Sequence, residues 1–120
     1  MKRVLIVEDQ AEIRELIRVT LEFENFDIHE AASGAEGLEA AHRLLPDLIL
    51  LDVMMPGGMD GLQVCKTVKA DARLRRCKVI LLTGRTQKDD RTAGTQAGAD
   101  AYLVKPFSPL EVLTAVQRLI

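Results

Sequence analysis

A chain of 120 residues, 48% of them hydrophobic, has room for one core of ordinary size and none for a second, so residues 1–120 are expected to form a single domain. Its 16 basic and 18 acidic side chains are scattered and nearly cancel at a net charge of -2, which excludes the basic footprint of a nucleic-acid or anionic-membrane binder. No apolar run approaches the roughly 20 residues of a membrane span, and the opening Met1-Lys2-Arg3-Val4-Leu5-Ile6-Val7 meets Glu8 and Asp9 too soon for a signal peptide; the expected location is cytoplasmic.

Short apolar runs then alternate with longer stretches of helical period. Residues 4–7 form the first run, followed by Ile13, Leu16, Ile17 and Leu21 at the i, i+3, i+4, i+8 spacing of one buried helical stripe. A weaker run at 27–31 leads to Ser33, which with Glu36 makes a capping box for a second helix whose Ala35, Leu38 and Ala41 suit close contact with a sheet. The run 48–51 precedes a helix over about 61–70, and the run 79–82 precedes a fourth over about 88–96, weakly anchored by Ala93 and Ala97 alone. The last run is 101–104. After it, Ser108 caps a helix with Pro109 at its first position and Glu111 completing the box, and Leu110, Leu113 and Val116 are expected to face inward. Continuous rather than alternating hydrophobicity means strands covered on both faces, so the class is α/β: five parallel strands flanked by helices. Cys65 and Cys77 lack CxxC spacing or a nearby histidine and are expected as free, partly buried thiols; His29 and His42 are read as surface residues.

In an open parallel sheet, ligands bind beyond the carboxyl ends of the strands. Those ends carry Glu8-Asp9, Asp52, Thr83-Gly84 and Lys105-Pro106. If strands one, three, four and five are neighbours, three carboxylates, a hydroxyl and an ammonium converge on one edge. Any of these alone reads as a turn, cap or solvated residue; the set does not. Crowded carboxylates call for a hard cation, and Mg²⁺ prefers oxygen ligands while leaving positions open for phosphate oxygens. Asp9 and Asp52 suit direct ligation, Glu8 a metal-bound water, and the backbone carbonyl of Met54 a further position. Asp52 suits nucleophilic attack on phosphorus, with Lys105, Thr83 and the Gly84 N–H meeting phosphoryl oxygens. The donor must be external, because no nucleotide-binding loop is present.

Together these residues resemble the receiver domain of two-component response regulators over nearly the whole chain. The segments that carry the resemblance are Val4-Leu5-Ile6-Val7-Glu8-Asp9, Leu50-Leu51-Asp52-Val53-Met54-Met55-Pro56, Met59-Asp60-Gly61, Leu81-Leu82-Thr83-Gly84, Gly98-Ala99-Asp100-Ala101-Tyr102 and Lys105-Pro106-Phe107. The resemblance implies a (βα)5, flavodoxin-like doubly wound sheet with strand order 2-1-3-4-5 and a cis peptide at Lys105-Pro106. It implies Mg²⁺-dependent phosphorylation of Asp52 by a histidine kinase or phosphotransfer protein, and switch roles for Thr83 and Tyr102, although Tyr102 also reads as simple packing. The readout would be a face made of the fourth helix, fifth strand and fifth helix, presented to a downstream protein or output domain.

Some positions depart from the pattern. Gly57 and Gly58 replace one residue and lengthen the loop beside Asp52. Ala101 and Thr114-Ala115 stand where one subfamily has an acid and an arginine, so its charge-paired dimer is not expected despite Arg91. Met54 and Arg85 stand where the family tunes phosphoryl loss, and neither suits orienting a water. Competing readings are a receiver-like module that is not phosphorylated, an aspartate-nucleophile phosphohydrolase, which would want a second Asp where Met54 stands, and an FMN carrier, whose phosphate Glu8-Asp9 would repel.

Overall fold

The computed structural model describes residues 1–55, 57–84 and 97–120. Its strands are β1 (Lys2–Val7), β2 (Phe26–Ala31), β3 (Leu48–Asp52), β4 (Lys78–Thr83) and β5 (Ala101–Val104). All pairings are parallel, in the order β2-β1-β3-β4-β5. The helices are α1 (Ala11–Glu22), α2 (Gly34–Leu44), α3 (Gly61–Ala70) and a C-terminal helix, Pro109–Leu119. The fourth expected helix, with Arg85 and Arg91, lies outside the described residues.

Successive strand residues point to opposite faces, which explains why the runs are apolar throughout. Leu5, Val7, Ile49, Leu51, Val79 and Leu81 join one core with Ala40, Ala41, Val64 and Val68 of α2 and α3. Their sequence neighbours Val4, Ile6, Leu48, Leu50, Ile80 and Leu82 join a second core with Ile17 and Leu21 of α1 and Val112 and Val116 of the C-terminal helix. Crossovers between parallel strands are right-handed. The connections β2 to β3 and β3 to β4 run in the same direction across the sheet and so share a face, whereas β1 to β2 runs the other way and puts α1 on the opposite one. That reversal between β1 and β3 creates the crevice where such sheets bind ligands.

Helix starts follow the sequence signals closely. Ser108 and Glu111 form a complete capping box with Pro109 inside the first turn, and Asp60 with Gln63 forms another at α3. Ser33 accepts from Glu36 N–H at α2, but Glu36 reaches back to Ala32 N–H rather than to the cap itself. The buried stripes are rotated from those expected. In α1, Ile17, Thr20 and Leu21 are buried while Leu16 is 39% exposed. In α2 the packed residues are Gly34, Gly37, Ala40 and Ala41, and Ala35 faces outward. In the C-terminal helix Val112 and Val116 point in, Leu113 is half-buried, and Leu110 is 72% exposed. In α2 and the C-terminal helix the residues nearest the sheet are small or β-branched, whereas α1 also buries Leu21. Both thiols are free, and both are fully rather than partly buried; burial pushes Cys65 up to about 11 and Cys77 to about 12. His29 and His42 are half-exposed and each lies beside a carboxylate, Asp27 and Asp71 respectively.

Gly37 sets the spacing of α2 over β1, since a Cβ there would meet both methyls of Val7 at 2.8 Å. Gly37→Ala is expected to cost about 1–3 kcal/mol by overpacking, read as a lower urea midpoint. An unchanged midpoint would mean that α2 can lift off the sheet freely.

Candidate functional site

The carboxyl edge of the sheet brings together the residues that the strand ends place there. β1 delivers Glu8 and Asp9 immediately after its last residue, and β3 ends on Asp52 itself. Carboxylate oxygens of Glu8, Asp9 and Asp52 lie within 4.8 Å of one another. Glu8 is fully buried and Asp52 is 3% exposed, while Asp9 is half-buried. From the end of β5, Lys105 Nζ lies 3.0 Å from Glu8 Oε1 and 3.2 Å from Asp52 Oδ2. The Lys105-Pro106 bond is cis, as the resemblance implies.

Backbone contacts fix this edge. Val53 N–H donates to the Leu82 carbonyl at 3.0 Å, and Lys105 N–H to the Thr83 carbonyl at 2.7 Å, so the chain beyond β3 and β5 is tied to β4. Met54 N–H donates to Asp52 Oδ1 at 3.2 Å, although the Met54 side chain is 73% exposed. Gly61 N–H returns to the Val53 carbonyl at 3.1 Å. A Cβ on Gly61 would lie 2.0 Å from the Asp52 carbonyl oxygen, so only glycine lets α3 start this close. Gly57 has φ of +103°, a left-handed conformation that glycine adopts without strain, and a side chain at Gly57 or Gly58 would meet nothing within 4 Å.

Thr83 ends β4 with its side chain 1% exposed, and its Oγ1 has no hydrogen-bond partner among the described residues. An unpaired buried hydroxyl costs free energy unless a ligand completes it. Gly84 beside it is half-buried, as is Tyr102, whose ring packs at the margin of the core under α2 and α3. Sequence reading missed two supports. Arg14 Nη1 donates to the Glu8 backbone carbonyl at 2.7 Å, and Gln10 N–H donates to Glu8 Oε2 at 3.1 Å. Neither belongs to a motif; an arginine one helical turn into α1 looks like a solvated residue. Farther off, Asp100 Oδ2 accepts from Lys69 Nζ and from Val79 N–H, both at 2.8 Å, and so ties the entry to β5 to α3 and β4.

The electrostatics follow from crowding. Glu8 is pushed up from 4.5 to about 7, first by burial and then by the hydrogen bond to and charge of Asp52; Gln10 N–H and Lys105 pull more weakly the other way. Burial alone would lower Lys105, but Glu8 and Asp52 outweigh it and raise it. Two buried acids, a third at the rim and one ammonium leave an excess of negative charge with oxygen donors, a set that fits a hard divalent cation. Without a cation, the folded protein retains a proton on Glu8 between pH 4.5 and about 7 that the unfolded chain releases. Stability from this group therefore falls as pH rises across that window and is lowest above it. Asp52→Asn should raise the thermal midpoint in EDTA at pH 8 by about 4 °C, the scale of roughly 1 kcal/mol at this size, and by less at pH 4.5. Equal gains at both pH values in calorimetry would show that Glu8 is not the group responsible.

Comparison with known proteins identifies the family. The family model for the response regulator receiver domain matches residues 4–117. The transcriptional regulatory protein ResD of Bacillus subtilis is 44% identical over 98% of this chain and 48% of its own length. The phosphate regulon regulatory protein PhoB of Klebsiella pneumoniae is 42% identical over 97% of the chain and 50% of its own. The chain thus spans about half the length of the curated relatives it matches. Among solved structures, the chemotaxis response regulator CheY4 of Vibrio cholerae superposes with a TM-score of 0.93 at 33% identity, covering 100% of this chain and 99% of that one. The 2-1-3-4-5 strand order and these matches agree: the chain belongs to the response regulator receiver domain family.

Proposed function

We propose that residues 1–120 form a single receiver domain, a cytoplasmic switch in which Asp52 accepts a phosphoryl group from a histidine kinase or phosphotransfer protein. The observation that carries this reading is the position of Asp52. It is buried at the end of a central strand, within 4.8 Å of the Glu8 and Asp9 oxygens and 3.2 Å from the Lys105 ammonium. Asp9 and Asp52, with Glu8 and the Met54 backbone carbonyl, would hold Mg²⁺. When bound, Mg²⁺ supplies positive charge that offsets the three carboxylates and the phosphoryl oxygens.

The chain's own groups divide the remaining work. An Asp52 carboxylate oxygen forms the bond to phosphorus as the bond from phosphorus to the donor's imidazole nitrogen breaks, and the electron pair of that bond stays on the nitrogen. Lys105, already drawn between Glu8 and Asp52, balances the charge that arrives. The Thr83 hydroxyl, buried with no partner among the described residues, and the Gly84 N–H donate to phosphoryl oxygens. This is group acceptance by a switch, assisted by its own residues, and not turnover of a substrate.

A new dianionic group at the end of β3 favours the conformation in which Thr83 moves toward it, and Tyr102 follows the space Thr83 leaves. Tyr102 borders a groove of about 340 Å³ that it shares with Leu110, Glu111, Thr114 and Arg118. β5 and the C-terminal helix would therefore present the outcome to a downstream protein or output domain, together with the fourth helix expected from the sequence.

Intact-mass measurement after acetyl phosphate should give one phosphoryl adduct that requires both Mg²⁺ and Asp52. No adduct on the wild type, or an undiminished one on Asp52→Asn, would sink the reading and favour an interaction module that is not phosphorylated. Met54 offers no amide or carboxylate to orient water at the phosphoryl group, so Met54→Asn is expected to shorten the adduct's lifetime several-fold. An unchanged decay rate would remove Met54 as a determinant.

A further inference from the structure

The turn carrying Glu8 and Asp9 must hold carboxylates together against their repulsion, and it lies between β1 and α1 with no regular structure of its own. Besides the Lys105 ion pair at Glu8, three hydrogen bonds among the described residues grip it. Glu8 N–H donates to the Ala31 carbonyl of β2 at 3.1 Å, and Gln10 N–H donates to Glu8 Oε2 at 3.1 Å. The third is charged: Arg14 Nη1 donates to the Glu8 backbone carbonyl at 2.7 Å. Arg14 is itself held in place. Its Nε donates to Glu30 Oε1 at 3.2 Å, and its backbone N–H donates to the Gln10 carbonyl at 3.0 Å. Glu30 belongs to β2, in register with Ile6 of β1, and also meets Arg18 Nε at 3.5 Å.

We infer that Arg14 is a positioning residue for the cation site, its guanidinium clamping the Glu8–Asp9 turn to β2 so that three carboxylates face one ion. The inference rests on the Mg²⁺ reading above. A planar guanidinium can bond a carbonyl and a carboxylate at once through fixed donors, whereas the point charge of a lysine ammonium cannot span the two in the same geometry. The two effects of Arg14 on a bound cation have opposite signs. Its positive charge repels a cation, so by Coulomb's law alone its removal would tighten Mg²⁺ binding. Its grip on the turn favours binding, because groups that orient metal ligands typically change affinity by 10-fold or more when lost.

The sign of the change therefore tests the inference. Mg²⁺ affinity is measured by isothermal titration calorimetry at pH 8 on the whole chain, for the wild type, Arg14→Ala, Arg14→Lys and Arg18→Ala, each with its thermal midpoint in EDTA. Arg18 contacts Glu15, Glu22 and Glu30 among the described residues and serves as the control. Arg14→Ala is expected to weaken Mg²⁺ roughly tenfold and Arg14→Lys to weaken it in the same direction, with Arg18→Ala at the wild-type value. Affinity equal to or tighter than wild type in Arg14→Ala overturns the inference, as does equal weakening in Arg18→Ala. Should Arg14→Ala not fold, Arg14→Lys decides by the same criterion. A wild type that takes up no Mg²⁺ overturns the metal reading, and the clamp with it, which is a different result from a wild type that binds and a variant that binds as well.

Discussion

The structure depends on holding two buried carboxylates, Glu8 and Asp52, against each other at the carboxyl edge of a parallel sheet. Nothing about hydrophobic burial favours that arrangement; desolvation and like charge both oppose it. Lys105 bridges the pair at 3.0 and 3.2 Å, and a proton on Glu8 below about pH 7 supplies the rest of the balance. With Asp9 at the rim as a third carboxylate, the site as a whole stays neutralised only in part. The stiffness of the surrounding fold maintains that imbalance.

Two apolar cores provide that stiffness. Every strand residue from Val4 to Val7 and from Leu48 to Leu51 is completely buried, alternating between the faces. The strand ends are consequently held to the accuracy of a packed interior, and residues just beyond them inherit it. Glycines bring the next layer close. Gly61 lets α3 begin against the Asp52 backbone, and Gly37 lets α2 settle on Val7. Where the chain leaves regular structure, small sets of hydrogen bonds take over, one donated by Arg14 to the Glu8 carbonyl and two accepted by the Asp100 carboxylate at the entry to β5.

The sequence was legible where exclusion from water decides the outcome. Strands at 48–51, 79–82 and 101–104 appear within a residue or two of their expected bounds, and Ser108-Pro109 begins a helix as written. Helix faces were less legible. Leu16, Ala35 and Leu110 occupy sound helical positions and still turn outward, because the rotation of a helix is set by what the sheet admits beneath it and not by its own period. The residues at the strand ends were readable by type, and their convergence followed once the strand order was known.

By itself, then, the sequence determined the class of fold, the strands and the kinds of group at their ends, since runs of apolar side chains encode which segments water must leave. Tertiary structure alone decided that Glu8 is buried and raised toward neutrality, that Lys105 reaches both acids at once, that the Thr83 hydroxyl is buried with no partner among the described residues and that Arg14 grips the turn. Apart from the Arg14 contact, which spans six residues, those properties depend on distances between residues far apart in the chain, and electrostatic energy changes steeply with such distances while local pattern carries no record of them.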